Sequence, residues 1–298
     1  MEDYVLTLFD RINVIRDTIN KYGEDKFYIA FSGGKDSTML HYLIDMALPN
    51  NKIPRVYINT GIEYIDMIKF VRSMAENDER IIMIKPSKNI TQTLQKYGYP
   101  FKSKQHSHLL NFYQNIGLES RAVRVYLDMD KSKNGNSSFR SCPIKLKYQF
   151  TEEFTLKISD KCCLKLKKEP MHMWAVQNNK TINITGMRAQ EGGTRRYTGC
   201  IITDKNGYVT KFNPLIKVTD EFENWFIEKY NIKLCKLYYP PFNFERTGCR
   251  GCPFALHLQK ELDILKELLP IERNACELIW KPVYEEYRRI GYRLRKEK

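Results

Sequence analysis

A six-residue polar segment, Ser32-Gly33-Gly34-Lys35-Asp36-Ser37, contains the residue types that bind phosphate. It follows an apolar run at residues 27–31 and precedes residues 39–48, whose apolar positions recur with helical spacing. Two glycines let backbone N–H groups approach an anion, the start of a helix adds donors and a positive dipole end, and Lys35 adds a full charge. The spacing is not that of the common P-loop. The segment therefore predicts a phosphate-binding turn of another type, and the alternative is a plain polar turn before a helix.

Four cysteines form a second candidate site. Cys162 and Cys163 are adjacent, whereas Cys249 and Cys252 flank a turn that contains glycine. Four thiols suit either tetrahedral zinc or an iron–sulfur cube. Neighbouring side chains on a helix diverge by about 100°, which favours separate corners of a [4Fe-4S] cluster over one ion. Two alternatives stay open, since a C-x-x-C pair is often a zinc or redox site and adjacent cysteines also serve as small buried apolar residues.

Strands alternating with helices are predicted to position these residues. Apolar runs at residues 55–59 and 81–84 follow the first strand at intervals of one helix, and strand character returns at residues 181–185 and near 208–212. This order predicts an α/β fold with an open, mostly parallel twisted sheet and helices on both faces.

Two further features follow from this predicted sheet. Glu63 comes after the second strand, where parallel sheets bind ligands, so it is a candidate contact for a ribose hydroxyl or a metal. A glutamate in the first turn of a helix is the alternative. After residue 252 the chain is predicted to be helical, with a break near Pro270 and a bend near Pro282.

The bulk composition predicts a cytoplasmic protein and leaves its partner open. No apolar run approaches the roughly 20 residues that cross a bilayer, and the first residues lack the pattern of a secretory signal. We therefore expect no membrane contact, and the eight cysteines are then more typical of metal ligands or reactive thiols than of disulfides. The net charge of +14 is compatible with an RNA or DNA partner but decides nothing by itself.

The two motifs together resemble a known family. The phosphate loop resembles the pyrophosphatase-type loop (PP-loop) of the adenine-nucleotide alpha-hydrolase superfamily, in which Ser-Gly-Gly-x-Asp-Ser binds the phosphates of ATP. The cysteine pattern resembles the [4Fe-4S] motif of adenylyl-sulfate reductases, which belong to the phosphoadenylyl-sulfate (PAPS) reductase family. The segment from Ile184 through Gly186 to Arg188, followed by Arg195, is similar to that family's Thr-Gly-hydrophobic-Arg motif with its second arginine.

The resemblance implies a division of roles along the chain. Residues 1–255 would form a PAPS reductase-like, PP-loop nucleotide-binding domain of the alpha-hydrolase type, with residues 256–298 as a helical C-terminal extension packed on it. ATP or an adenylyl-sulfate nucleotide would be bound by Ser32, Gly33, Gly34, Lys35, Asp36, Ser37, Glu63, Gly186, Arg188 and Arg195. Lys35, Asp36 and Arg188 would act in catalysis, with Asp36 holding Mg²⁺ or orienting the loop. A [4Fe-4S] cluster, or zinc as the alternative, would be held by Cys162, Cys163, Cys249 and Cys252.

Two departures from the reductase pattern shape the expected activity. Sulfonucleotide reductases carry their nucleophilic cysteine in a C-terminal segment, whereas residues 288–298 contain neither cysteine nor histidine. True reductases have a degenerate phosphate loop, whereas this one keeps every residue of an ATP-cleaving loop. We therefore expect ATP cleavage between the α and β phosphates, with adenylation of an acceptor and release of pyrophosphate, in sulfur transfer or nucleic-acid modification.

Two other activities stay open. One is a PAPS or adenylyl-sulfate reductase whose thiol comes from Cys276 or from a partner. The other is a non-catalytic subunit that binds nucleotide and RNA. The acceptor is open between RNA and DNA, and the assembly between a homodimer and a complex with a partner protein.

Overall fold

The structure is a computed structural model that describes residues 2–131 and 141–296. Backbone contacts divide the chain into two compact units. Unit 1 comprises Met1–Asn59, Glu63–Pro86 and Glu169–Thr247, and unit 2 comprises Thr60–Ile62, Ser87–Lys168 and Gly248–Lys298. The domain boundary expected after residue 255 stays a prediction.

Unit 1 is built on a sheet that has six strands among the described residues. The strands are β1 Phe27–Phe31, β2 Arg55–Ile58, β3 Ile81–Ile84, β4 Ile182–Ile184, β5 Ile201–Thr203 and β6 Val209–Phe212. Their order across the sheet is β3-β2-β1-β4-β6-β5, and every pairing is parallel except that of β5 with β6. In this register Ile29 of β1 lies beside Ile184, and Ala30 lies beside Val56. The carboxyl ends of β1, β2 and β4 therefore meet at one edge of the sheet.

Helices cover both faces of this sheet. They are α1 Glu2–Tyr22, α2 Lys35–Ala47, α3 Ile65–Asn77, α7 Glu169–Gln177 and α8 Asp220–Lys229, numbered along the whole chain. Phe27 and Ile29 of β1 belong to the core that α1, α2 and α8 complete, whereas Tyr28 packs with Val56 and with Ala175 of α7. Successive strand residues point to opposite faces, so β1 is buried on both sides. The predicted fold class is confirmed.

Unit 2 is helical in the residues that the structure describes. Its helices are α4 Ile90–Tyr97, α5 Lys104–Ile116, α6 Arg121–Tyr126, α9 Leu258–Leu268 and α10 Pro270–Ile290, together with a π-helical segment at Leu164–Lys168. Phe101, His106 and Tyr126 pack in an aromatic core, in which the His106 ring nitrogens lie 2.9 Å from Tyr126 Oη and 2.8 Å from Gln149 Oε1. The break expected near Pro270 is confirmed, because α9 ends at Leu268 and α10 begins with that proline.

Among the described residues, none of the helices combines the length and the apolar character that crossing a membrane requires.

Candidate functional site

The predicted phosphate loop joins the end of β1 to the start of α2 in unit 1. Gly33 has φ = 73°, and a Cβ there would lie 2.6 Å from Met67 Sδ and from Val71 Cγ2, both on α3. A side chain at Gly33 would therefore be strained by the backbone and blocked by α3. Gly34 is the N-cap of α2 and supplies no side-chain cap, so the first turn of α2 points its backbone donors into the loop.

Hydroxyl groups accept hydrogen bonds from the loop amides. Ser32 N donates to Ser37 Oγ at 3.2 Å, and Gly34 N donates to Ser32 Oγ at 3.3 Å. Both distances are at the long end of the N–H···O range, whose mode is about 2.9–3.0 Å. An anion that binds these amides more tightly can displace the serine hydroxyls. Each hydroxyl can rotate away, because serine hydroxyls turn freely about one bond.

Tyr238 completes the loop from elsewhere in unit 1. Its hydroxyl accepts from Lys35 N at 3.3 Å and lies 2.6 Å from Thr247 Oγ1. The Lys35 ammonium lies 5.8 Å from the centroid of the Tyr238 ring. Burial raises the pKa of Tyr238, so this hydroxyl stays protonated at neutral pH. Sequence patterns did not single out Tyr238 because it follows no motif and meets the loop only through the fold.

Arg188 lies after β4 and is the centre of a buried ion network. Its Nε donates to Asp36 in the loop, its Nη1 lies 2.6 Å from Asp220 Oδ1, and its Nη2 lies 3.0 Å from Glu223 Oε2. Only 5% of the Arg188 side chain is exposed. The guanidinium is thus occupied by three carboxylates, and its predicted grip on the nucleotide stays a prediction. Asp220 and Glu223 were missed, because acidic residues in the first turn of a helix are ordinary.

The charges in this network do not balance within the group. Three carboxylates share one arginine, and burial together with the Asp36 charge raises the pKa of Glu223 to about 7. Within the described residues, Glu223 Oε1 is buried and has no hydrogen-bond partner. One proton shared within the network therefore offsets part of the excess negative charge near neutral pH.

Gly186 lets β4 approach the loop. A Cβ on Gly186 would lie 2.9 Å from the carbonyl oxygen of Asp36, so any side chain would push the two segments apart. The sequence predicted that Gly186 binds nucleotide. The structure places it against the backbone of the loop, and its contact with nucleotide stays a prediction.

The two other predicted nucleotide contacts lie in different surroundings. Glu63 follows β2 and is 7% exposed. Arg195 is 42% exposed at its side chain and pairs with Glu191, which also pairs with Arg246 and accepts from Arg188 N at 3.2 Å. Glu191 therefore links the segment of Arg195 to that of Arg188, and it was not recognised from the sequence.

In unit 2 the four predicted ligand cysteines influence one another. Cys162 is buried and Cys163 half-buried, at the helical start of the π-helical segment, and Cys249 and Cys252 are half-buried on their turn. The hydrogen bond that Cys162 donates to Cys163 raises the pKa of Cys162 and lowers that of Cys163 to about 6. The charges of Cys252 and Cys249 raise the pKa of Cys162 further. The four thiols are therefore coupled electrostatically.

The side chains of α10 hold the cysteine turn, Cys249–Pro253. Three carbonyl oxygens of the turn accept from three aromatic side chains spaced four and three residues apart on one face of α10. Trp280 Nε1 donates to Arg250 O at 3.1 Å, Tyr284 Oη donates to Gly251 O, and Tyr287 Oη donates to Pro253 O at 2.9 Å. No sequence pattern indicated these hydrogen bonds, because an aromatic row on a helix is equally typical of a plain core face.

Two further contacts fix the same turn. Gly251 has φ = 60°, and a Cβ there would lie 2.5 Å from Tyr284 Oη and 2.7 Å from Cys276 Sγ. The Arg250 guanidinium, also buried, lies 2.9 Å from Glu272 Oε2 of α10. Cys276 is thus a packing residue behind the turn, and burial raises its pKa to about 12.

The four thiols are the donor type of both a single zinc ion and an iron–sulfur cluster. Within residues 2–131 and 141–296, no group of three or more His, Cys, Asp or Glu side chains is arranged to hold a metal ion. The role of the four thiols as ligands stays a prediction.

The sheet order defines an open α/β protein with a glycine-rich loop after its first strand, and comparison with known families gives its family. Residues 26–116 and 120–255 match the family described as phosphoadenosine phosphosulfate reductase domain. The chain belongs to this family, and the predicted family is confirmed. An uncharacterised protein of Methanocaldococcus jannaschii is 32% identical over 112 residues, which are 34% of this chain and 27% of that relative's length.

Solved structures match the chain at low identity and with TM-scores below 0.5. A phosphoadenylyl-sulfate reductase from Candida auris matches with 12% identity and a TM-score of 0.44, over 80% of this chain and 93% of that one. An FMN adenylyltransferase from Candida glabrata, in complex with FMN and an ATP analogue, matches with 13% identity and a TM-score of 0.49, over 83% and 62%. A U34-tRNA thiolase from Methanococcus maripaludis, with its [4Fe-4S] cluster, matches with 14% identity and a TM-score of 0.40, over 95% and 80%.

Proposed function

We propose that this protein is an adenylating enzyme that cleaves ATP between its α and β phosphates, in sulfur transfer or nucleic-acid modification. The observation that carries the proposal is the complete phosphate loop at the carboxyl end of a central parallel strand. Gly33 and Gly34 give the backbone its close approach, and Lys35 supplies a half-buried positive charge. Ligands of open α/β sheets bind at this edge, and helix starts bind phosphate.

The proposed reaction balances as a simple group transfer. An acceptor oxygen forms a bond to the α-phosphorus, and the bond from that phosphorus to the oxygen bridging to the β-phosphate breaks. Pyrophosphate leaves with the bonding electrons, and the acceptor proton passes to water. The loop amides and Lys35 stabilise the negative charge that builds on the leaving phosphates.

The buried ion network gives Asp36 and Arg188 a positioning role in this proposal. The pairing of Arg188 with Asp36 ties the loop to the end of β4, and the Asp36 side chain keeps 28% of its surface exposed. Asp36 is thereby held next to the loop amides and stays open to solvent, where its carboxylate would accept Mg²⁺ bound to the triphosphate. Glu63 and Arg195 are proposed to contact the ribose and the phosphates, respectively.

The four cysteines are proposed to hold a [4Fe-4S] cluster in unit 2. When bound, such a cluster would supply either an electron-transfer centre or a site for sulfur chemistry. Cys249 and Cys252 would approach it from the turn held by α10, and Cys162 and Cys163 from the helix start. The lysines around Cys163, namely Lys104, Lys167 and Lys168, lower its pKa and so favour the thiolate that a ligand must be.

Reduction of a sulfonucleotide is the second candidate, and membership in the PAPS reductase family favours it. That reaction requires a thiolate to attack sulfur. Cys276 does not suit this role, since it is fully buried behind the cysteine turn and burial raises its pKa to about 12. A reductase would therefore need its nucleophile from another thiol or from a partner.

Anaerobic assays with two substrates separate these candidates. Pyrophosphate formed from ATP and Mg²⁺ supports adenylation, whereas sulfite formed from adenylyl sulfate or PAPS with a thiol supports the reductase. If neither product forms with cluster-loaded protein in the presence of RNA and DNA as acceptors while ATP binds, both enzymatic candidates are wrong and a nucleotide-binding subunit replaces them.

Iron analysis of anaerobically purified protein tests the cluster. We expect iron with broad visible absorption in the wild type, and loss of both in Cys252→Ser. Cys200→Ser, which changes a half-buried cysteine of unit 1, is the matched control and should keep both. Stoichiometric zinc without iron would show that the protein holds zinc and not a cluster.

A further inference from the structure

Tyr238 contacts the lysine of the phosphate loop at two points. The backbone N–H of Lys35 donates to the Tyr238 hydroxyl at 3.3 Å, and the Lys35 ammonium lies 5.8 Å from the centroid of the Tyr238 ring. A cation within about 6 Å of a ring centroid is attracted to the negative face of that ring. One tyrosine therefore contacts both the backbone and the charge of the same lysine.

The Tyr238 side chain is itself fixed within unit 1. It is half-buried and packs against the core to which β1 and α2 contribute, and its hydroxyl lies 2.6 Å from Thr247 Oγ1. A Cβ on Gly34 would lie 3.3 Å from the same hydroxyl, so the loop backbone passes close beside it. Packed side chains stay in defined rotamers. The ring can therefore define where a more flexible side chain lies.

Lys35 is a side chain that gains from such a contact. Its ammonium ends a flexible stem of four carbons, and fixing that stem costs rotamer entropy. Within residues 2–131 and 141–296 no carboxylate forms an ion pair with Lys35, and the adjacent acid Asp36 pairs with Arg188. An aromatic ring restricts the ammonium without neutralising it. The full charge thus stays available to an anion at the loop.

We propose that Tyr238 is a positioning residue, which holds the Lys35 ammonium where it meets the pyrophosphate part of ATP. This role rests on the proposed binding and cleavage of ATP at the loop. Tyr238 acts through the charge of Lys35, so its ring should matter only while that charge is present.

The test weakens the face of the ring and leaves its bulk nearly unchanged. Phenylalanine and its mono-, di- and trifluorinated forms are placed at Tyr238 in the anaerobically purified full chain, because each fluorine draws negative charge from the ring face. Isothermal titration calorimetry measures the affinity for inorganic pyrophosphate with Mg²⁺. From Tyr238→Phe to the trifluorinated ring, the affinity should fall stepwise by about fivefold in all. The same series in a Lys35→Met background should be flat.

Tyr42 of α2 provides the matched control. It is half-buried and packs against the same core, and its ring centroid lies 4.9 Å from that of His41. The same phenylalanine series at Tyr42 should leave the affinity for pyrophosphate unchanged.

The outcomes separate an electrostatic role from a packing role. A stepwise fall at Tyr238 that requires Lys35 and is absent at Tyr42 supports the proposal. A flat series at Tyr238, an equal fall in the Lys35→Met background, or an equal fall at Tyr42 would overturn it. Absence of pyrophosphate binding by the wild type would overturn it as well.

The proposed ATP cleavage can fail separately. If the wild type binds pyrophosphate but forms none from ATP with RNA or DNA as the acceptor, ATP cleavage is wrong. The fluorinated series then still decides whether Tyr238 positions Lys35, because it measures binding and not turnover.

Discussion

The phosphate loop of unit 1 and the cysteine turn of unit 2 are both tight turns built on a glycine with positive φ, but they are held in different ways. In the loop, amides donate to serine hydroxyls at 3.2 and 3.3 Å, which are long bonds that a ligand can replace. In the cysteine turn, carbonyls accept from aromatic side chains fixed on one face of α10. The loop thus keeps its donors exchangeable for an anion, whereas the turn commits its carbonyl groups to the side chains of α10.

The largest expected effects come from the two glycines. Gly33→Ala and Gly251→Ala each add an unfavourable φ and a Cβ less than 3 Å from packed side chains, so each should lower the free energy of unfolding by about 3 kcal/mol. Gly207→Ala is the control, because Gly207 has φ = 84° but nothing lies within 4 Å of its Cβ position. Denaturant unfolding measures all three. If Gly207→Ala lowers the free energy of unfolding as much as the other two substitutions, the contacts around Gly33 and Gly251 do not matter and this prediction is wrong.

The lysine of the loop gives the next effect, which is confined to unit 1. Lys35→Met should lower the rate of pyrophosphate formation from ATP about 100-fold, because one donor to the developing phosphate charge is lost. Iron content should not change, since the cysteine turn is held by its own contacts. Lys52→Met, an exposed lysine of unit 1 that lies 4.0 Å from Glu79, is the control and should keep the wild-type rate.

The ion network around Arg188 should make the free energy of unfolding depend on pH. Burial raises the pKa of Glu223 from 4.5 to about 7, so the folded state binds this proton more tightly than the unfolded state. The resulting stabilisation is complete below about pH 4.5 and is lost as the pH rises through 7, by an amount on the order of 3 kcal/mol.

Glu223→Gln tests this effect because it fixes a neutral side chain at the same position. Between pH 4.5 and 7, the free energy of unfolding of Glu223→Gln should rise relative to that of the wild type, as measured by denaturant unfolding at each pH. Glu221→Gln changes an exposed residue of the same turn and should leave the wild-type pH profile in place. Parallel profiles of Glu223→Gln and the wild type would mean that the network carries no shared proton.

The smallest effect probes the support of the cysteine turn. Tyr284→Phe removes the hydrogen bond to Gly251 O and leaves a buried carbonyl without its partner, which should cost about 1 kcal/mol. We also expect iron to pass to a chelator faster than in the wild type. Tyr292→Phe, which changes a ring that packs against Tyr287, is the control and should release iron at the wild-type rate. Unchanged iron release in Tyr284→Phe would show that this contact from α10 does not support the cluster.

The sequence predicted the motifs of both sites but not what supports them. The phosphate loop and the four cysteines are local patterns, and the strands at β1, β2, β3, β4 and β6 have enough apolar residues to be recognised. The partners of Arg188 and the aromatic donors of α10 are joined to their sites only by the fold, so no spacing indicates them.

The antiparallel strand β5 was missed for a different reason. It has three residues, which is too short for a period-two pattern. A local signal did exist in the turn that follows, because the Asp204 carboxylate accepts from the amides of Asn206 and Tyr208. An Asx-type turn between two short apolar segments is typical of a hairpin.

The most direct test of the central claim is ³¹P NMR of ATP and Mg²⁺ incubated with the anaerobically purified full chain and with RNA or DNA as the acceptor. The measurement shows which bond of the triphosphate breaks. We predict a growing pyrophosphate signal that is strongly reduced in Lys35→Met. Formation of ADP with orthophosphate, or unchanged ATP under conditions in which adenylyl sulfate yields sulfite, would contradict the assignment of this loop to α–β cleavage.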